Sequence, residues 1–389
     1  MPPGCVIVYG TSKKRWPEME TMTAGDARGR DRAVQVDDLI NHGGVGWMGG
    51  SGADSDVVLS CRVRLARNLA DVPFPGAASP AQREHVYELV RSAAERAWGL
   101  GQLQAMHLDD LTPLDRQILV ERHLISPQQA DGGEGRGVIL RSDEGVSIMI
   151  NEEDHLRIQG FFPGLEAHNA WRLASQFDDF LASELRYAYD RRLGYLTACP
   201  TNLGTGLRVS VMIHLPALTL AEQMRRLAHG LGQVGLVVRG LYGEGSEMAG
   251  NIYQISNQIT LGPTEEEVLS HLQEVTRQVI SQERQARQAM LDHNRVALED
   301  RVWRALGTLR YARRLSTTEA LGYLSDVRLG IDLNLITGLA PTILQELLVQ
   351  IRPAHLQRLL HHEMRPEERD VARATWIRRR IATALGEDR

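Results

Sequence analysis

The spacing of hydrophobic residues divides the chain into two unlike regions. From about 56 to 262 the apolar period switches repeatedly between two and about 3.6 residues; from 264 onward it stays helical. Residues 207–215 alternate strictly, placing Leu207, Val209, Val211, Ile213 and Leu215 on one side of a strand. Arg208, Ser210, Met212 and His214 then point the other way. Two β-rich runs around a turn predict a hairpin over 137–150, and further strands are predicted near 235–242 and 251–261. Ser79-Pro80 and Thr112-Pro113 each set a capping residue before a first-turn proline, predicting helices over 80–98 and 113–123. A longer helix is predicted over 164–186, and Thr219 with Glu222 reads as a capping box for a helix to about 231. Strands joined by hairpins and interspersed with helices predict an α+β fold, a largely antiparallel β-sheet flanked by helices. Thr264 with Glu267 forms another capping box, after which four to six helices and no strand are expected. The domain plan is therefore a catalytic-type unit over 46–285 and an all-α C-terminal domain over 286–389.

Residues 1–45 show no period, and 43–52 (GGVGWMGGSG) hold six glycines. The expectation is a disordered N-terminal extension with a flexible linker after it, and Val34 or Val36 as alternative translation starts.

Composition narrows the chemistry. The 389 residues carry a net charge of −5, which argues against wholesale nucleic-acid binding. Three cysteines argue against a disulfide framework, and no apolar run reaches the ~18 residues of a membrane span. A cytoplasmic protein is expected. Of the 44 basic residues only Lys13 and Lys14 are lysines, so 42 are arginines. A Walker A loop and a protein-kinase fold each need a lysine on the phosphates, and neither has one here. A nucleotide bound by this chain must be held by arginine.

Four segments join arginines to acids or glycines. In Ser60-Cys61-Arg62-Val63-Arg64 a strand would aim both guanidinium forks to one side, a clamp for phosphate or an ordinary exposed face. Asn151-Glu152-Glu153-Asp154-His155-Leu156-Arg157 could be a solvated turn, or could supply a carboxylate that orients a nucleophile. Cys199-Pro200-Thr201-Asn202-Leu203-Gly204-Thr205-Gly206-Leu207-Arg208 offers close backbone approach, and a cysteine that is either a small buried hydrophobe or a thiolate. Arg239-Gly240-Leu241-Tyr242-Gly243-Glu244-Gly245-Ser246-Glu247 reads as a strand end opening into a lid, or as a plain surface loop.

Taken together and in this order, these strings resemble the ATP:guanidino phosphotransferase (phosphagen kinase) superfamily. Within it the chain is most similar to the bacterial protein-arginine kinases of the McsB type. The helical domain that precedes the first arginine motif in phosphagen kinases is missing, 250–258 (GNIYQISNQ) match the bacterial form, and Arg369-Asp370-Val371-Ala372-Arg373-Ala374 fits its phosphoarginine-binding motif.

The resemblance implies a kinase using ATP and Mg2+, the metal arriving with the nucleotide and not in a dedicated protein site. Nucleotide contacts would come from 60–64, that is Ser60, Cys61, Arg62, Val63 and Arg64, and from His123 and Arg157. They would continue through Arg208, Val209, Ser210, Val211 and Met212, then Arg239, Gly240, Leu241, Tyr242, Gly243 and Glu244. Glu153 and Glu244 would grip the substrate guanidinium with Cys199 beside it, while Arg369, Asp370 and Arg373 would bind phosphoarginine. The implied substrates are proteins with exposed arginines, marked for quality control. Free arginine or another small guanidino metabolite as substrate, or a phosphoarginine-binding adaptor with weak kinase activity, are the alternatives. Implied partners are a zinc-binding activator, a Clp-type unfoldase and a heat-shock repressor, with a homodimer also expected.

Overall fold

The computed structural model describes Val36 and residues 46–97, 99–240 and 249–387. Apart from Val36, the extension predicted over 1–45 lies outside the described residues, as do Leu241, Tyr242, Gly243 and Glu244 of the predicted lid.

Eight strands form one sheet in which each described neighbouring pair is antiparallel. The strands are β1 (Val58–Arg67), β2 (Leu103–His107), β3 (Gly137–Arg141), β4 (Val146–Ile150), β5 (Leu156–Pro163), β8 (Leu207–His214), β9 (Leu236–Gly240) and β10 (Ile252–Asn257). A separate two-stranded ribbon pairs β6 (Tyr189–Asp190) with β7 (Gly194–Tyr195). The order across the large sheet is β2-β3-β4-β5-β1-β8-β10-β9, with β5 and β1 at its centre.

The alternation predicted for 207–215 holds. Leu207, Val209, Val211, Ile213 and Leu215 are all fully buried. They join Cys61, Val63, Leu65 and Ile158 in a core closed by α4 (Ala167–Glu184) and the first half of α7 (Glu265–Tyr311). Burying each such aliphatic side chain stabilises the fold by roughly 1.5–3 kcal/mol. At Gly160 of β5 a Cβ would meet the Ala170 carbonyl oxygen at 2.4 Å, so only glycine lets α4 lie this close.

Helices α1 (Pro80–Glu95) and α2 (Pro113–Glu121) begin where predicted, with Ser79 and Thr112 accepting capping hydrogen bonds. Thr264 and Glu267 likewise form the predicted capping box at the start of α7. The box predicted at Thr219 and Glu222 does not form. Thr219 sits inside the short helix α5 (Pro216–Leu220), its hydroxyl bonded to the Leu215 carbonyl (2.6 Å) and the Tyr253 hydroxyl (2.9 Å). Glu222 takes φ 56° and breaks the chain before α6 (Met224–Gln233). Tertiary partners outcompeted the local cap.

The predicted linker is also different from expectation where it is described. Gly46–Met48 make a 3-10 turn in which Trp47 is 2% exposed, stacked on Phe161 with ring centroids 5.7 Å apart. Val36 is fully buried in the same cluster. One indole supplies more burial than the surrounding glycines forfeit in order.

The C-terminal region is helical: the second half of α7, then α8 (Thr317–Asp332), α9 (Pro341–Gln350), α10 (Pro353–Leu359) and α11 (Pro366–Ala384) surround their own core. The predicted boundary at 285/286 falls within α7, whose one non-helical residue is Asn294 (φ −146°). Among the described residues no helix is long and apolar enough to cross a membrane.

Candidate active site

Residues directly opposite in an antiparallel pair share a face. Register therefore gathers the predicted arginines on the side of the sheet away from the α4 core. Arg64 lies opposite Arg208 on β8, Arg62 opposite Ser210, and Ala66 opposite Arg157 on β5. Arg239 of β9 faces Gln254, which in turn faces Met212.

The cations are crowded, and two of them lack a described counter-charge. Among the described residues the guanidinium groups of Arg62 and Arg64 make no hydrogen bond or ion pair. Burial, followed by repulsion from Arg208 and Arg157, brings Arg62 down to about 10. Arg64 is held well below the usual guanidinium value by burial and by Arg157, Arg62 and Arg208, with Glu152 opposing. Partly buried like charges of this kind cost free energy until an anion joins them, which is what a polyphosphate supplies. Arg208 reaches Ser256 Oγ at 3.3 Å.

The head of this row opens into a small pocket, partly open to solvent, lined by Trp47, Ser60, His123, Phe161, Met212 and Gln254, among others. His123, at φ 60° just after α2, sets its ring edge-on to Trp47 at 5.5 Å. Burial, with Arg62 and Arg352 nearby, pulls its pKa down to about 3, so its ring is neutral at physiological pH. Beside the row of cations this slot sets aromatic faces of Trp47 and Phe161 next to the polar groups of Ser60, His123 and Gln254, the mix of stacking surface and hydrogen-bond partners that a base next to phosphates calls for.

The other end of the row carries the acids. Arg157 is paired with both Glu152 and Glu153. The loop around them is rigidly tied. Asn151 donates to the carbonyls of Arg83 (2.7 Å) and Gly135 (2.6 Å), and Ser126 Oγ donates to Glu152 (2.5 Å). Asp154 accepts from Asn68 Nδ2 and from the Ala198 amide, each at 2.7 Å. The Leu69 amide donates to His155 Nδ1 at 3.0 Å. With Glu152, Asp154 and His155 committed to the scaffold and buried, Glu153 remains the exposed carboxylate. The Asp154–Ala198 bond also brings the Cys199 loop against the Glu153 loop; Cys199 Sγ lies 3.0 Å from Thr201 Oγ1.

Some predicted residues fall elsewhere. Cys61, Val63, Val209 and Val211 point into the core behind the sheet, so only their backbone borders the arginine face. Burial pushes the Cys61 thiol up to about 12. Gly240 ends β9 as a buried residue. Arg157 is partnered by acids where a direct phosphate contact was expected. Trp47, Phe161 and Gln254 were not foreseen, and Glu152 stood in the acidic string without a role of its own; Gln254 had a signal as a polar position in a predicted strand.

The C-terminal motif is tied up internally. Arg373, 1% exposed, donates to the carbonyls of Ile351 (2.9 Å) and Leu315 (2.8 Å) and to Asp370 (2.7 Å). Burial lowers its pKa despite Asp370. Arg369 donates to the Met364 carbonyl at 3.1 Å and stays partly exposed. As described, Arg373 and Asp370 act as a helix clamp, leaving Arg369 the more accessible cation of the motif. At the β2 edge, Glu84, Glu88 and His107 could together hold a cation, but they lie four strands from β1 and form no part of the arginine face.

Known proteins agree with this geometry. A family profile described as ATP:guanido phosphotransferase, C-terminal catalytic domain, matches residues 85–286, which makes the site that of a guanidino phosphotransferase. Among solved structures, lombricine kinase superposes with a TM-score of 0.52 at 26% identity, over 61% of this chain and 68% of that one. The duplicated taurocyamine kinase of Schistosoma mansoni, with transition-state analog components bound, gives a TM-score of 0.54 at 24% identity over 63% and 38%. A second profile, the protein-arginine kinase McsB C-terminal domain, matches residues 295–388. The protein-arginine kinase of Halothermothrix orenii is 49% identical over 90% of this chain and 99% of its own length; that of Symbiobacterium thermophilum is 51% identical over 89% and 99%. The chain belongs to the protein-arginine kinase family.

Proposed function

We propose that this chain transfers the γ-phosphate of ATP to arginine side chains presented on protein surfaces. The observation that carries this reading is a row of crowded guanidinium groups, with Arg62 and Arg64 lacking a described counter-charge, that runs from an aromatic-walled slot to one exposed carboxylate, Glu153. The base would lie against Trp47 and His123, and the phosphates along Arg62, Arg64 and Arg208. Mg2+ arriving with the nucleotide would offset phosphate charge, keeping water and phosphate ligands.

A guanidinium is a poor nucleophile because it is fully protonated near neutrality. The incoming substrate would displace Arg157 from Glu153, leaving Arg157 to face the phosphate. Glu153 takes the proton from the attacking nitrogen as the N–P bond forms and the bond from phosphorus to the ADP oxygen breaks. Glu244, by resemblance, would hold the other side of the planar fork. Phosphoryl transfer of this kind depends on alignment and charge stabilisation.

The open approach to Glu153 supports a protein-borne substrate, and modification would mark proteins for quality control. The zinc-binding activator, Clp-type unfoldase and heat-shock repressor implied by resemblance belong to that reading, as do a homodimer, expected from the apolar positions of the C-terminal helices, and a cytoplasmic location. The full chain would be incubated with ATP and either casein or free arginine, then analysed by mass spectrometry in mild base, since the P–N bond is acid-labile. Phosphoarginine on casein and not on the free amino acid is the expected result; the reverse would overturn the protein-substrate reading.

A further inference from the structure

Helix α6 is lightly anchored, with Leu231 in the sheet core and Met224 and Leu227 packed against it. Its sequence, MRRLAHGLGQ, starts without a side-chain cap and includes Gly230 and Gly232, neither of which meets any atom at the Cβ position. Each glycine costs a helix about 1 kcal/mol relative to alanine. Leu231 is its only buried residue, and Val234 just after it is 46% exposed. Between α6 and α7 runs an open groove of about 610 Å³. Leu227, Leu231 and Val234 line one wall, and Val275, Val279 and Ala286 the other.

The groove follows α7 from Val275 to Ala289, about 21 Å at ~1.5 Å per residue. That length suits roughly four turns of a partner helix. Its polar rim is one-sided. Arg226 lines it, no carboxylate does, and α6 adds Arg225 and His229 without an acid. Gln278, Gln282 and Gln285 stand along the α7 wall as neutral donors and acceptors. Glu274 is exposed nearby on α7 but is not part of the lining.

We propose that this groove docks an amphipathic helix of another protein, one with an apolar stripe at i, i+3/i+4 spacing flanked by acidic residues. Helix-in-groove binding of this kind buries the apolar stripe and pairs the acids with the basic rim. Docking would fill the void beside a weak helix and firm the chain that leads through Gly235 into β9, the strand carrying Arg239. The site is remote from the arginine face, so its test does not depend on kinase activity.

The test uses the full chain and two fluorescein-labelled 14-residue helical peptides with the same leucine stripe, one flanked by glutamates and one by lysines, followed by anisotropy. The glutamate peptide should saturate, bind about tenfold or more tighter than the lysine peptide, and weaken as salt rises. R225E/R226E should cost the glutamate peptide about tenfold, and A286W, which fills the groove, should abolish its binding. Hydrogen exchange over 224–233 should slow when it binds. No saturation up to about 1 mM, equal affinity for both peptides, or indifference to R225E/R226E would overturn the proposal. Concentration-dependent self-association lost in A286W would also overturn it, by assigning the groove to a second copy.

Discussion

Arginine does opposite work at the two ends of this molecule. On the sheet, Arg62 and Arg64 share a face with Arg157 and Arg208, and neither has a described acid or carbonyl of its own. Across the C-terminal core, Arg373 is buried with its donors on two carbonyls and on Asp370. The residue type is the same and the charge is the same. What differs is whether the fold supplies the counter-charge. Where it does, the guanidinium is a structural clamp; where it withholds it, the site is left with an anion-shaped deficit that a substrate fills.

That contrast can be broken by mutation. Arg64→Ala should lower kcat/KM for ATP by ~10²–10³-fold while leaving the melting temperature unchanged or higher, because it relieves like-charge repulsion. Unaltered turnover, or a large fall in melting temperature, would place Arg64 in the structural class. Glu153→Gln keeps the shape of the side chain but removes the proposed base, and should cost about 10²-fold in rate, read with casein as substrate. Glu152→Gln should instead act mainly through Arg157 and the Ser126 bond. A larger rate loss for Glu152→Gln than for Glu153→Gln would reverse the two roles.

At the other pole, Arg373→Ala leaves the Ile351 and Leu315 carbonyls without their guanidinium donor and removes one of the two arginines beside the partly exposed Asp370. Unfolding free energy should fall by about 3 kcal/mol, measured by urea denaturation. Kinase turnover at a temperature where the variant is folded should change by less than ~10-fold. If binding of a phosphoarginine peptide is lost while stability is unchanged, the clamp reading fails.

The smallest expected effect is pH dependence. Burial holds His123 and His355 near 3 and His214 well below its usual value. The unfolded chain therefore takes up protons between about pH 6.5 and 3 that the folded chain refuses. The stability these groups permit is fully present above about pH 6.5 and is lost as pH falls. His355→Gln should reduce the slope of unfolding free energy by up to ~1.4 kcal/mol per pH unit in that window. An identical slope in the variant would contradict the neutral, buried assignment.

Much of the fold was legible because local rules and tertiary context agreed. The strict alternation of 207–215 survived, since one face had to be buried and a one-residue slip would expose it. Ser79, Thr112 and Thr264 capped as expected because nothing competes for them at the surface. Thr219 failed for the complementary reason, its hydroxyl being claimed by Leu215 and Tyr253. Strand β5 was missed since Arg157 and Gln159 interrupt its apolar run and Gly160 reads as a breaker; both polar residues are in fact buried on the arginine face. Trp47 was lost among glycines.

By itself the sequence determined which chemistry was available: arginine in place of lysine, acids beside arginine, and the order of the four strings. These are properties of composition and local spacing, and they survive any packing. Only the tertiary structure decided which guanidinium groups are left without a counter-charge, which of three consecutive acids stays exposed, and that Trp47 walls the slot. Those outcomes depend on strand register and on neighbours up to a few hundred residues away. Charge compensation in a folded chain is a property of assembled surfaces, and no linear pattern records it.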